Sequence, residues 1–127
     1  MRSSAHLLSV LAATAALAVG LLIAPSNTDA AGHAKSMSTI EQGKKIAFNR
    51  KKGNCLACHQ IKGGRLAGNV GPALVSMKAR FPDKAVLRAQ IHDATKKNPK
   101  TMMPPFGRDK ILSGDEVDKV VEFVYSL

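Results

Sequence analysis

The chain has 127 residues, and 19 lysines and arginines against nine aspartates and glutamates give it a formal net charge of +10. This length is sufficient for one small domain and excludes a multidomain protein. There is no Trp, and Phe and Tyr together number five. A core built mainly from aromatic side chains is therefore excluded, and we expect a staple, a metal or a cofactor to support so small a domain.

The first 30 residues have the pattern of a secretory signal peptide. Arg2 is followed by an apolar run over residues 7–24, then by Pro25 and small residues up to Ala30. We predict cleavage after Ala30 and export, so that residues 31–127 form the mature domain. An uncleaved membrane anchor is the alternative, but polar residues weaken the run and Pro25 ends it. Export argues against nucleic acid as a partner, and no basic run is interleaved with aromatic residues.

Three helices are predicted beyond residue 35, and no segment there alternates as a strand does. The first begins at a capping box of Ser38 and Glu41 and ends before Gly53. The second begins at residues 81–83 and stops at residues 98–99, and the third begins at the capping box of residues 113–116. Their apolar faces are Ile40, Gly43 and Ala47; Val86, Leu87, Gln90, Ile91 and Ala94; and Val117, Val120, Val121, Val124 and Leu127. The predicted fold class is all-α.

Residues 55–59, with the sequence Cys-Leu-Ala-Cys-His, carry the clearest chemical signal. On a helical turn Cys55 and Cys58 point to the same side, where both thiols reach the two vinyl groups of one porphyrin. His59 is then placed to bring an imidazole nitrogen to the iron. This spacing is the attachment motif of haem c, and we predict one covalently bound haem.

Three other sites use cysteines at this spacing. A structural zinc site needs four ligands, but the chain has two cysteines and no closely spaced pair of histidines after them. A thioredoxin-like redox pair follows a strand, whereas a helix is predicted before Cys55. A disulfide between Cys55 and Cys58 would close a very small loop and stabilise little.

The second axial ligand of the iron would come from His92, Met77, Met102 or Met103. A lone helical histidine such as His92 is more often a surface or packing residue, and Met77 stands in the apolar context of a core residue. Met102 and Met103 directly precede two prolines, whose rigidity suits a loop that holds a thioether over the ring. One residue of register decides between these two methionines. Ligation by histidine and methionine raises the reduction potential of haem and suits electron transfer.

The turn at Gly71 and Pro72 has two interpretations. A backbone carbonyl there can accept a hydrogen bond from the second ring nitrogen of His59 and so fix the orientation of the imidazole. An ordinary loop turn is the alternative.

Taken in order, the capped helix, the Cys-x-x-Cys-His motif, the Gly-Pro-x-Leu turn, the Met-Pro loop and the final helix resemble a class I cytochrome c. Residues 54–59, 67–74, 80–83, 98–107 and 111–112 resemble SoxX more closely, the small monohaem subunit of SoxAX complexes. The resemblance implies a helical domain wrapped around one haem, with the first and last helices crossing where Gly43 meets Phe123 or, as the alternative, Tyr125. The site residues that it implies are Cys55 and Cys58 as haem thioethers, Pro72 as the partner of His59, and His59 and Met103 as axial ligands, with Met102 as the alternative.

The resemblance also implies a function. SoxX pairs with a larger haem protein, SoxA, in the periplasm, and the complex couples thiosulfate oxidatively to a cysteine of a carrier protein. The reactive cysteine of the family belongs to SoxA, and both cysteines of this chain are used as thioethers. We therefore expect an electron-transfer subunit of an enzyme complex of the L-cysteine S-thiosulfotransferase type, which passes electrons to a downstream acceptor and is not itself the catalyst.

Two other functions remain open from the residues. A free-standing periplasmic electron carrier would have the same fold, whereas a haem enzyme such as a peroxidase needs an open iron site, against which the Met-Pro loop argues. A run of cations precedes the haem motif and would steer an acidic partner, or it forms a solvated helix face. It consists of Lys44, Lys45, Arg50, Lys51 and Lys52.

Overall fold

The structure, a computed structural model, describes residues 36–127. The predicted signal peptide and its cleavage site lie outside these residues. The described part contains four helices: α1 (Thr39–Phe48), α2 (Met77–Arg80), α3 (Lys84–His92) and α4 (Gly114–Tyr125). Single 3₁₀ turns lie at Cys55–Ala57 and Ala94–Lys96. No strand occurs within residues 36–127, and the predicted all-α fold is confirmed. No helix of this part is long and apolar enough to span a bilayer.

Both predicted capping boxes are present. The hydroxyl of Ser38 accepts the backbone N–H of Glu41 at 3.2 Å, and the carboxylate of Glu41 accepts the N–H of Ser38 at 2.8 Å. Ser113 and Glu116 form the same reciprocal pair at 3.2 and 3.1 Å. Each pair satisfies N–H groups that the first turn of a helix leaves without a partner. α1 and α4 therefore begin at the residues that the two capping boxes predict.

α1 and α4 pack closely where they cross at Gly43. A Cβ atom at Gly43 would lie 1.9 Å from the carbonyl oxygen of Lys119 and 2.9 Å from the Cβ of Phe123, so a side chain has no room there. Next to the crossing, the rings of Phe48 and Phe123 meet edge to face with 5.8 Å between centroids. Phe123 is the aromatic residue that Gly43 meets, whereas the hydroxyl of Tyr125 donates to the carbonyl of Pro82.

The valines of α4 lie at the centre of the core. Val117, Val120, Val121 and Val124 are each at most 3% exposed, as their spacing predicts. Leu127 lies beyond the end of the helix, and its carbonyl accepts the backbone N–H of Met77 at 3.0 Å. That N–H opens α2, a single turn that the sequence does not predict.

Two predicted apolar faces are narrower than expected. Ile40 is 44% and Val86 is 50% exposed, while Leu87 and Ile91 are buried against α4. Val86 precedes Leu87 by one residue, so it lies about 100° further around the helix and faces solvent.

α3 also ends earlier than predicted, at His92. Asp93 adopts an extended backbone with φ of −154°, and its carboxylate accepts the N–H of Thr95 at 3.1 Å. This side-chain hydrogen bond competes with the next helical one and stops the helix before the Asn98-Pro99 pair is reached.

Candidate functional site

A cavity of about 960 Å³ opens within the helical domain. Its volume lies at the upper end of the range, about 300–1,000 Å³, that is typical of cofactor pockets. Part of its wall is the core itself, because the following buried residues line it: Leu74, Met77, Leu87, Ile91, Phe106, Leu112, Val120 and Val124. A shallower depression of about 450 Å³ lies against α1 and contains neither cysteine and no histidine. The larger cavity is therefore the candidate site.

The 3₁₀ turn Cys55–Ala57 brings Cys55, Cys58 and His59 into the wall of this cavity. Asn54 precedes the turn with a left-handed backbone, φ of 46°. The N–H groups of Cys58 and His59 then donate to the carbonyl of Cys55 at 3.2 and 2.9 Å. This tight turn places both thiols and the imidazole at one cavity, and no disulfide joins the two cysteines.

The environment of the thiols bears on the alternative sites. Burial raises the pKa of the Cys55 thiol to about 11, whereas the attacking cysteine of a redox pair is activated by a lowered pKa. A structural zinc site needs four ligands. Within residues 36–127, no three side chains of His, Cys, Asp or Glu are grouped so that they could hold a metal ion.

His59 is held by the Gly71-Pro72 turn. Its Nδ1 lies 2.8 Å from the carbonyl oxygen of Pro72, so an N–H at Nδ1 donates there and leaves the lone pair of Nε2 for a metal. A Cβ atom at Gly71 would lie only 2.4 Å from Cε1 of the ring. The N–H of Gly71 also donates to the carbonyl of Cys58 at 2.8 Å. The glycine therefore lets the backbone pass directly against the imidazole.

The loop that follows residue 97 adds the two neighbouring methionines to the wall. Both line the cavity, but Met102 is 81% exposed, while Met103 is partly buried and packs against the core. The N–H of Met103 donates to the hydroxyl of Thr101 at 3.1 Å, which fixes the turn from which its side chain leaves.

Of the other two candidate ligands, Met77 also lines the cavity, as a buried core residue, and His92 does not. The sulfur of Met77 lies 3.4 Å from a guanidinium nitrogen of Arg80, and Met77 is a core residue, as predicted, with 2% exposure. The ring of His92 packs against Gly107, where a Cβ would lie 2.2 Å from its Cδ2.

Among residues 36–127, those that line the cavity include cationic side chains and no carboxylate. The cations are Arg50, Lys51, Lys52, Arg80, Lys97 and Lys100. Lys44 and Lys45, which belong to the predicted steering run, lie instead at the depression on α1. The predicted run of cations is thus divided between two surfaces. The sequence did not predict that Arg80 of α2, and Lys97 and Lys100 of the loop after α3, would lie at the cavity.

Exposed apolar residues also border the cavity. Val70 is 62% and Ile111 is 43% exposed, and both line it together with Met102. Chain order gave no signal for this patch, because its residues are far apart in the sequence.

Residues 38–124 match the family model described as "Cytochrome C oxidase, cbb3-type, subunit III". The chain belongs to this cytochrome c family. It is also similar to a chain in the crystal structure of SoxXA from P. pantotrophus, with a TM-score of 0.61 and 27% identity over 68% of this chain and 79% of that one. No curated protein matches it in sequence. The resemblance to class I cytochromes c and to SoxX is thereby confirmed.

The cofactor of this cytochrome c domain is covalently bound haem c, and its role is electron transfer. The residues present fit that cofactor. One cavity of sufficient volume holds two thiols at the Cys-x-x-Cys spacing, an imidazole with an available nitrogen, a partly buried thioether and an apolar wall.

Proposed function

We propose that this cytochrome c is the electron-transfer subunit of a periplasmic, sulfur-oxidising complex of the SoxXA type. Its partner would be a SoxA-type haem protein that couples thiosulfate oxidatively to a cysteine of a carrier protein. Electrons released there would reach the haem of this chain and pass to a downstream acceptor. The observation that carries electron transfer is the single cavity shared by both cysteines, His59 and Met103. The similarity to SoxXA supports the choice of partner.

In this proposal Cys55 and Cys58 would form the two thioether bonds to haem c, and His59 and Met103 would bind its iron. The hydrogen bond from His59 to Pro72 raises the basicity of the imidazole and fixes its ring plane. Met103 is preferred to Met102 because a ligand must point inward, and the side chain of Met102 is largely in solvent.

Bound haem c supplies one-electron redox chemistry. The chain's own residues would surround it with the apolar wall, and they would hold the two ligands on the 3₁₀ turn before His59 and on the loop that carries Met103. They provide no sulfur chemistry, because the chain contains two cysteines in total and the proposal uses both as thioethers. The catalytic cysteine of the complex must therefore belong to the partner.

The surface around the cavity supports a lasting interaction. A permanent subunit needs an apolar patch that the partner covers, and Val70, Met102 and Ile111 are exposed at the cavity. A free-standing carrier is the second candidate. The cations of the wall favour it, since transient partners dock by charge complementarity.

Co-purification of the exported protein from cells grown on thiosulfate distinguishes the two candidates. We expect a stable partner with its own haem. We also expect Val70→Asp and Ile111→Asp to weaken this complex about 30-fold, which corresponds to the roughly 2 kcal/mol of an interface hot spot. Val86→Asp is the matched control, since Val86 is equally exposed but does not line the cavity. A protein that purifies alone, or a control that weakens the complex equally, contradicts the subunit role.

The axial ligand is tested separately with variants that conserve side-chain volume. Met103→Leu is expected to abolish the methionine–iron charge-transfer band of the oxidised protein, whereas Met102→Leu leaves it unchanged. The reverse result would assign the ligand to Met102.

A further inference from the structure

Three residues outside the cavity wall connect the end of α3 to the loop that carries Met103. They are Asp93, Thr95 and Arg108, which we call the Arg108 cluster. We propose that this cluster positions Met103 and so sets how firmly its thioether stays on the iron. The proposal rests on the ligand role of Met103 in the proposed function.

The cluster is a hydrogen-bond network around a buried carboxylate, and its half-exposed Arg108 side chain also donates from Nε to the carboxylate of Asp109 at 2.8 Å. The side chain of Asp93 is 4% exposed, and its carboxylate accepts the N–H and the hydroxyl of Thr95. Nη1 of Arg108 lies 3.3 and 3.4 Å from the two carboxylate oxygens and donates to the Thr95 hydroxyl at 2.8 Å. A buried carboxylate is strongly bound to its partners because losing them would leave the charge unpaired.

The same region holds the backbone of the loop. The carbonyl of His92, at the end of α3, accepts two N–H groups of the loop, from Gly107 at 3.0 Å and from Arg108 at 3.2 Å. Gly107 packs against the His92 ring so closely that a Cβ would not fit. The loop is therefore fixed to α3 five residues or fewer after Met103, by its backbone and by the Arg108 side chain.

Met103 thus lies between two attachment points. On its N-terminal side its own N–H bonds to Thr101, whose N–H donates to the carbonyl of Asn98 at 3.0 Å. On its C-terminal side the Arg108 cluster holds the loop. A neutral thioether is a weak ligand, so its occupancy of the metal depends on how rarely the loop opens.

None of the three residues lines the cavity. Their effect is therefore exerted through the loop, and a ligand that competes with Met103 can measure it. Added imidazole binds only where the thioether has left, so its apparent affinity is proportional to the open population.

The experiment titrates imidazole into the oxidised, haem-loaded protein and follows the methionine–iron band. We expect Arg108→Gln to raise the apparent imidazole affinity about tenfold, and Thr95→Val, which keeps the shape but removes the hydroxyl, to raise it several-fold. Arg108→Lys, which keeps the charge without the planar fork, is expected to lie between Arg108→Gln and the wild type. Lys110→Gln is the control: it removes the same charge from the same loop, and Lys110 does not line the cavity.

Two results overturn the proposal, and they are distinguishable. If Met103→Leu abolishes the band while Arg108→Gln and Thr95→Val leave the imidazole affinity within twofold of wild type, the cluster does not position the ligand. A lower unfolding temperature in these variants without a change in affinity has the same meaning. If Met103→Leu itself leaves the band and the affinity unchanged, the ligand assignment fails and the proposal fails with it.

Discussion

Replacement of Gly43 by alanine tests the close crossing of α1 and α4. The new Cβ would lie 1.9 Å from the carbonyl oxygen and 2.6 Å from the carbonyl carbon of Lys119. Both are backbone atoms, which no rotamer change can move. The helices would have to separate by about 1.5 Å to reach ordinary contact near 3.4 Å, and the edge-to-face contact of Phe48 and Phe123 would loosen with them.

Two opposing effects set the size of the change. Overpacking costs about 1–3 kcal/mol, while alanine is favoured over glycine within a helix by about 1 kcal/mol. Because the clash involves backbone, the cost is expected at the upper end. The net loss of unfolding free energy is then about 2 kcal/mol, which lowers the unfolding temperature of a domain of this size by roughly 8–16 °C.

Thermal unfolding of the haem-loaded protein, followed by far-ultraviolet circular dichroism, measures this loss. Gly114→Ala is the matched control, because Gly114 is also in a helix and a Cβ there meets no atom within 4 Å. The control is expected to be at least as stable as the wild type. Equal unfolding temperatures for Gly43→Ala and Gly114→Ala would refute the backbone contact.

Three further predictions concern the site and its surroundings. In Gly71→Ala, the new methyl group should push the imidazole of His59 away from Pro72 and break their hydrogen bond, worth about 1 kcal/mol. The imidazole then becomes a less basic ligand, and the reduction potential of the haem should rise by about 40 mV in a redox titration. The hydrogen bond from Thr95, and then the charge of Arg108, lower the pKa of Asp93 below its usual 3.8. The ionised Asp93 carboxylate therefore stabilises the folded protein above that pH, and this stabilisation is lost as pH falls through the lower pKa of the folded state. In acid titrations Asp93→Asn should lose less stability than the wild type below pH 3.8, and an equal loss contradicts the assignment. Reversing Lys97 and Lys100 to glutamate should slow association with an acidic partner at low salt in stopped-flow experiments, whereas reversing Lys44 and Lys45 should not, and equal slowing would show that only net charge matters.

Local signals in the sequence predicted much of this protein. Each capping box lies within four residues, so its hydrogen bonds depend on local backbone geometry alone. The Cys-x-x-Cys-His motif is equally local, since one turn brings both thiols and His59 to the same cavity. The valine spacing of α4 predicted its buried face because the helix has a fixed period.

Other features depend on contacts between distant segments, and no local pattern encodes them. Asp93 ends α3 through a local hydrogen bond to Thr95, but its contact with Arg108, fifteen residues away, has no local signal. α2 begins where the N–H of Met77 donates to the carbonyl of Leu127, fifty residues further along the chain. Loop periodicity could not choose between Met102 and Met103, and only the family resemblance favoured Met103; in the structure Met103 is the one that packs against the core.

Eight of the thirteen buried residues of the hydrophobic core also line the cavity. Leu87, Ile91, Val120 and Val124 each contact the packed interior on one side and the cavity on the other. A mutation at such a position therefore changes both the stability of the fold and the reduction potential of the haem. A substitution that adjusts the driving force for electron flow at these sites will also change how well the polypeptide withstands heat, so variation in potential among natural homologues should be concentrated in the loops around the ligands.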